Sequence, residues 1–198
     1  MVDPESGKKT INEFNIQARL LAEVVKRILD RKAHIYLSEV AAFKLKPITE
    51  FKRRMRVSSL EKFEDSTYIS TVNFYSSEKD LDNKKAVGTL VIYIEEPYVV
   101  ELLKKLDYPI EDEDSQPELA DACGTVCNLI AGNFKSGLTQ LGYIELAMSH
   151  FSSYRNEILN GVEYPADQKE LYEISFEIRK RRRIVAELVM GDVPRTDD

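Results

Sequence analysis

This chain has few of the residues that build metal centres and covalent active sites. Its 198 residues include two cysteines and two histidines. His34 and His150 lie far apart, with no companion ligands nearby in sequence. That spacing argues against a His-based metal centre or a Ser-His-Asp triad. Cys123 and Cys127 stand one helical turn apart, one residue wider than the CxxC redox motif. A disulfide along a regular helix would be strained, so both read as buried, reduced thiols. There is no Walker loop and no GxGxxG, so the common phosphate cradles are missing. No apolar run approaches the ~20 residues that span a bilayer. Residues 1–9, MVDPESGKK, lack the apolar core of a signal peptide, so a cytoplasmic protein is expected. A basic surplus is missing too: 28 Lys and Arg face 34 Asp and Glu, for a net charge of −6. That balance argues against nucleic acid as a partner.

What is present is ordinary for a globular protein, with 43% hydrophobic and 31% charged residues. The length suits one domain with a full core. A disordered tail is expected at 1–10, a single domain at 11–191 and a C-terminal tail at 192–198. Ile11, Phe14, Ala18, Leu21, Val24, Val25 and Ile28 recur at helical spacing and predict a helix over 11–31. Short strands are expected near 34–44, 51–59 and 67–76, then an exposed connection over 76–85. A strand follows over 87–94 and a helix from Pro97 to Leu106. The acids Glu111, Asp112, Glu113 and Asp114 suit the positive end of the next helix. Beyond Gly142 a strand is expected near 143–151, an irregular loop over 152–169, and strands near 171–179 and 183–190. The basic run Arg179–Arg183 reads as a solvated hairpin tip. The sum is an α+β domain, with two long helices and one short helix packed on a mostly antiparallel sheet.

The segment from Ser115 to Leu138 carries the most information. Ser115 and Glu118 have capping-box spacing, and Pro117 falls in the first turn, where its missing N–H costs nothing. Leu119, Cys123, Val126, Ile130, Phe134, Gly137 and Leu141 form one apolar stripe. Asp121, Thr125, Asn128, Gly132 and Lys135 fall on the opposite face, and Asn133 on the core side. A helix-interior glycine costs ~1 kcal/mol against alanine. Gly132 on the solvent side therefore implies that something comes close to the backbone. A carboxamide such as that of Asn128 can donate and accept at once. That suits orienting a water for in-line attack on a phosphoryl group, where catalysis is mostly positioning. A solvated polar face fits the same composition.

The spelling of this helix resembles the CheC/CheX/FliY family of chemotaxis phosphatases, its CheX branch most of all. The family motif reads Asp or Ser, three residues, Glu, two residues, Asn, then an apolar pair, a small residue and Gly. Here it is Asp121, Ala122-Cys123-Gly124, Thr125, Val126-Cys127, Asn128, then Leu129-Ile130-Ala131-Gly132. Gly88 to Pro97 is similar to the family's Gly-started strand running into a short helix. The resemblance covers most of 11–151 and implies a CheX-like fold. It further implies a phosphatase acting on the aspartyl-phosphate of a CheY-like response regulator, and a homodimer joined through its sheets. In that scheme Asn128 positions the attacking water. Asp121, Thr125, Gly132, Glu118 and Lys135 are the expected partner-binding residues. No cofactor of its own is implied, since the Mg2+ belongs to the receiver domain. Two departures stand out. Thr125 occupies the place of the acid that grips a regulator lysine, and no proline stands around Ala147-Met148-Ser149. Asp121 or Glu118 is then the candidate for that grip. The alternatives are a non-catalytic module that docks on a receiver domain or flagellar switch component, or a small-molecule role on the same fold.

Overall fold

The computed structural model describes the backbone of residues 4–196 and the side chains of 14–196. Helix α1 spans Pro4–Arg31, starting ahead of the expected Ile11. Its core face presents Ala18, Leu21, Val25, Ile28 and Leu29, all buried. Residues 1–3 and 197–198 of the expected tails lie outside the described residues.

Strands β1 (Ala42–Pro47), β2 (Glu50–Phe51), β3 (Arg54–Ser58) and β4 (Thr67–Tyr75) follow. A short helix α2 (Glu78–Asp82), capped by Ser77, turns the expected connection into one helical turn. Then come β5 (Gly88–Glu95), α3 (Glu96–Lys105) and the long α4 (Gln116–Gln140). The chain ends with β6 (Ala147–Met148), β7 (Ser152–Arg155), β8 (Ile158–Val162), β9 (Glu170–Ile178) and β10 (Arg181–Met190). The main sheet runs β1-β9-β10-β5-β4-β6, with β7 also on β4, and a second sheet runs β2-β3-β8. Every pairing is antiparallel. The α+β expectation holds: long helices α1 and α4 and the shorter α3 cover one face of the main sheet.

All of β5 is buried, which explains its unbroken Val/Ile/Leu run where a one-sided strand would alternate. Leu90, Ile92 and Ile94 face the helices. Val91 and Tyr93 face Met55, Val57 and Val162 of the small sheet. The small sheet thus caps the second face. Between the two layers sits an ionic cluster. Buried Lys62 donates to Glu173 of β9 at 2.7 Å and to Glu187 of β10. Lys46 reaches Glu173 at 2.5 Å, and the Tyr93 hydroxyl donates to Glu187 at 2.6 Å.

Three expectations need correction. The stretch 152–169 is not irregular, since β7 and β8 form there, each pairing with a distant strand that sequence spacing does not reveal. The strand near 143–151 shrinks to the two residues of β6, because only Phe74 and Tyr75 of β4 offer it partners. The first strand lies at 42–47 and not 34–44, because residues 34–41 carry the chain from α1 to the sheet edge. The basic run is the expected exposed β9–β10 hairpin tip, and it is also pinned: Arg181 and Arg183 pair with buried Glu95, and Arg179 with Glu101. Of the strands named for a dimer edge, β4, β9 and β10 are interior. The outer edge on the α1 side is β1.

Candidate functional site

Helix α4 carries the site. Ser115 is its N-cap, with the hydroxyl accepting from the Glu118 N–H at 3.4 Å, and Pro117 lies in the first turn. The reciprocal half of the capping box does not form. The Glu118 carboxylate instead accepts the backbone N–H groups of Glu111 at 2.5 Å and Asp112 at 3.2 Å. Glu118 therefore fastens the acidic loop to the helix, and both its oxygens are engaged.

The buried arc is wider than the expected stripe. It holds Leu119, Cys123, Val126, Ile130 and Phe134, and also Ala122, Cys127, Ala131 and Leu138. Leu141 is exposed and Gly137 abuts Leu20 of α1, so the stripe ends through Leu138. Both cysteines are buried and free, and burial pushes both thiols up, which makes them poor nucleophiles. Gly124 is fixed by packing: a Cβ there would lie 2.2 Å from the Phe151 ring. Asn133 does not turn to the core. It is exposed, with its amide donating to the Leu129 carbonyl at 2.8 Å.

The polar face is assembled as the spacing requires. Asp121 and Asn128 are exposed, Thr125 and Gly132 half-buried, and Lys135 sits 3.4 Å from Glu145. The Asn128 carboxamide has no hydrogen bond to the described residues. A Cβ on Gly132 would meet nothing within 4 Å, so the backbone there is open to an approaching surface. The Thr125 hydroxyl spends its proton on the Asp121 carbonyl at 3.2 Å. Tyr108, in the loop after α3, therefore donates to Thr125 Oγ1 at 3.4 Å. Sequence reasoning missed Tyr108 and Glu145. Each meets α4 only through the fold, and neither stands in a local motif.

An exposed helix face cannot enclose a small substrate. It holds one carboxamide ready to donate and accept, one acid about two turns away, and an open glycine. Any reacting group or metal would have to be brought by a partner with a pocket of its own. Among the described residues no group of three or more His, Cys, Asp and Glu could hold a metal ion. No described helix is long and apolar enough to cross a membrane.

Two long helices and a short one on an antiparallel sheet, with the motif helix across its β4 end, define the CheC/CheX fold. Solved structures of this class superpose on the chain. They include the chemotaxis protein CheX from Desulfovibrio desulfuricans (TM-score 0.56, 14% identity, 88% of this chain and 99% of that one). The CheX–CheY–BeF3–Mg2+ complex from Borrelia burgdorferi matches with TM-score 0.52 and 14% identity over 88% of this chain and 97% of that one. FliY from Thermotoga maritima matches with TM-score 0.51 and 14% identity over 98% of this chain and 94% of that one. No protein-family model matches the chain, and no curated protein matches it by sequence. The resemblance read from the motif helix therefore holds at the level of fold.

Proposed function

We propose that this protein acts in chemotaxis or a related two-component pathway in the cytoplasm, docking α4 on a phosphorylated CheY-like response regulator and speeding hydrolysis of its aspartyl-phosphate. The observation that carries this reading is the Asn128 carboxamide, exposed on a helix face and uncommitted to any described residue. Its oxygen accepts from the attacking water while its N–H group donates to a phosphoryl oxygen. Rate then comes from positioning, and the Mg2+ and the phosphoryl group belong to the receiver. Gly132 admits the receiver backbone close to α4. Asp121 offers the remaining carboxylate, since Glu118 is spent on the acidic loop. The same fold in a CheX solved together with CheY supports a receiver partner.

Thr125 favours a second reading. A docking acid is missing there, and a module that binds a receiver or flagellar switch component without hydrolysis needs no further chemistry. Phosphate release from a phosphorylated CheY-like receiver separates the two. Faster release that Asn128→Ala abolishes supports the phosphatase. Binding without faster release supports the module, and neither binding nor release overturns both. Homodimer formation, also proposed, would use a free edge of the small sheet, β2 or β8, and sedimentation reads it directly.

A further inference from the structure

The α1 end of the main sheet carries a surface that the α4 site does not use. Strand β1 pairs only with β9, so its other side is an open edge. Ile48 donates its N–H to Lys169 at 2.9 Å, which sets the alternation along the strand. Even-numbered residues of β1 bond to β9, and Phe43 and Leu45 turn their N–H and C=O groups outward. The side chains of Phe43 and Leu45 lie on the helix side and are 39% and 44% exposed. Phe43 opens onto a groove of about 630 Å3 between α1 and residues 35–41, where Tyr36 is 70% and Val40 90% exposed. Large side chains gathered in this way on a surface mark an interaction site.

The strand chooses between occupants. Lys44 and Lys46 project on the opposite side, where Lys46 pairs with Glu173. Lysines on an edge strand guard it against unwanted pairing. A second copy pairing β1 to β1 in either register of fullest overlap would set Lys44 against Lys44 or Lys46 of that copy. Like charges directly opposite are destabilising. An extended segment alternating acidic and apolar residues meets the same edge with both faces matched. The α1 wall of the groove carries both signs, Arg19 and Lys26 with Glu23 and Asp30, and adds no preference.

We propose that β1 accepts an extended acidic–apolar segment of a partner protein as an added strand, its apolar side chains entering the groove and its acids facing Lys44 and Lys46. Main-chain hydrogen bonds to Phe43 and Leu45 hold the segment, and the lysines select its sign.

The test is fluorescence-anisotropy titration of the full chain with a short synthetic peptide alternating glutamate and valine, beside a version with lysine for glutamate. Saturable binding of the glutamate peptide alone is expected. Lys44→Glu should weaken it about tenfold and let the lysine peptide bind. Leu45→Pro removes an outward N–H, keeps the β9 ladder, and should abolish binding with native circular dichroism. Asn128→Ala should leave it unchanged. Equal binding of both peptides, or none, overturns the proposal, as does a dimer that Leu45→Pro dissociates.

Discussion

At the scale of single residues, three positions on one helix make opposite predictions. Gly124→Ala drives a methyl into the Phe151 ring. It should destabilise the protein by about 1–3 kcal/mol, read as a lower denaturant midpoint. Gly132→Ala meets open space and removes a helix-interior glycine, so it should stabilise by up to ~1 kcal/mol. The same methyl stands where the receiver backbone would approach, so this more stable variant should bind the receiver more weakly. Equal or tighter receiver binding would remove the role given to Gly132. Thr125→Glu puts back the missing carboxylate and should raise the rate of phosphate release at limiting protein, chiefly through encounter and affinity. That gain should shrink with added salt. The polar face was legible in the sequence because helix period alone places 121, 125, 128 and 132 together. The different duties of Gly124 and Gly132 were not, since Phe151 reaches Gly124 only after β7 pairs with β4. Nor was the loss of Glu118 as a free acid, which depends on the path of the loop before α4.

At the scale of elements, the clip between the two sheets is the sharpest case. Lys62 stands in the loop between β3 and β4 and joins Glu173 to Glu187. Lys62→Met would leave Glu187 buried with only Tyr93 and strip Glu173 of one of its two lysines. Removing one partner from such a cluster costs about 3–5 kcal/mol. Urea unfolding should show that loss, and Lys62→Met/Glu187→Leu should recover part of it, because no carboxylate then lies unpaired. Nothing local in the sequence announces this cluster: Lys62 stands more than a hundred residues from both carboxylates that it joins. Long elements were readable for the opposite reason. α4, β4, β5 and β9 each carry their period or their apolar run within one segment. β7 and β8 are short and half-exposed, and they exist as strands only because β4 and β3 supply partners.

At the scale of the whole molecule, charge sets the window of stability. The Arg155 guanidinium hydrogen-bonds Glu96 and holds its carboxyl below the ordinary 4.5. Burial alone would raise Glu173, but Lys46 and Lys62 outweigh it and hold that carboxyl low as well. A carboxyl lowered in the folded state contributes stability above its ordinary value, and the contribution is lost as pH falls through the lowered one. Burial alone would lower Lys62, but Glu187 and Glu173 outweigh it and raise the ammonium above 10.5. Its contribution is complete below 10.5 and is lost as pH rises through the raised value. Thermal unfolding against pH should therefore show a plateau that falls below about pH 4.5 and above about 10.5. Lys62→Met should flatten the alkaline fall. The same sheet that holds this cluster also separates the two binding surfaces. α4 packs on β4, α1 and β7, while β1 lies four strand steps from β4. At about 4.8 Å per step that is roughly 19 Å, beyond the range over which substitutions usually couple. No described residue lines both the Asn128 face and the β1 groove, and what runs between them is the apolar packing of α1, which lies on α4 and also walls the groove. Saturating β1 with the glutamate peptide should leave the phosphate-release rate unchanged, and Asn128→Ala combined with Leu45→Pro should show each loss at its single-variant size. A rate that moves when the peptide binds would mean that the sheet transmits between its two ends.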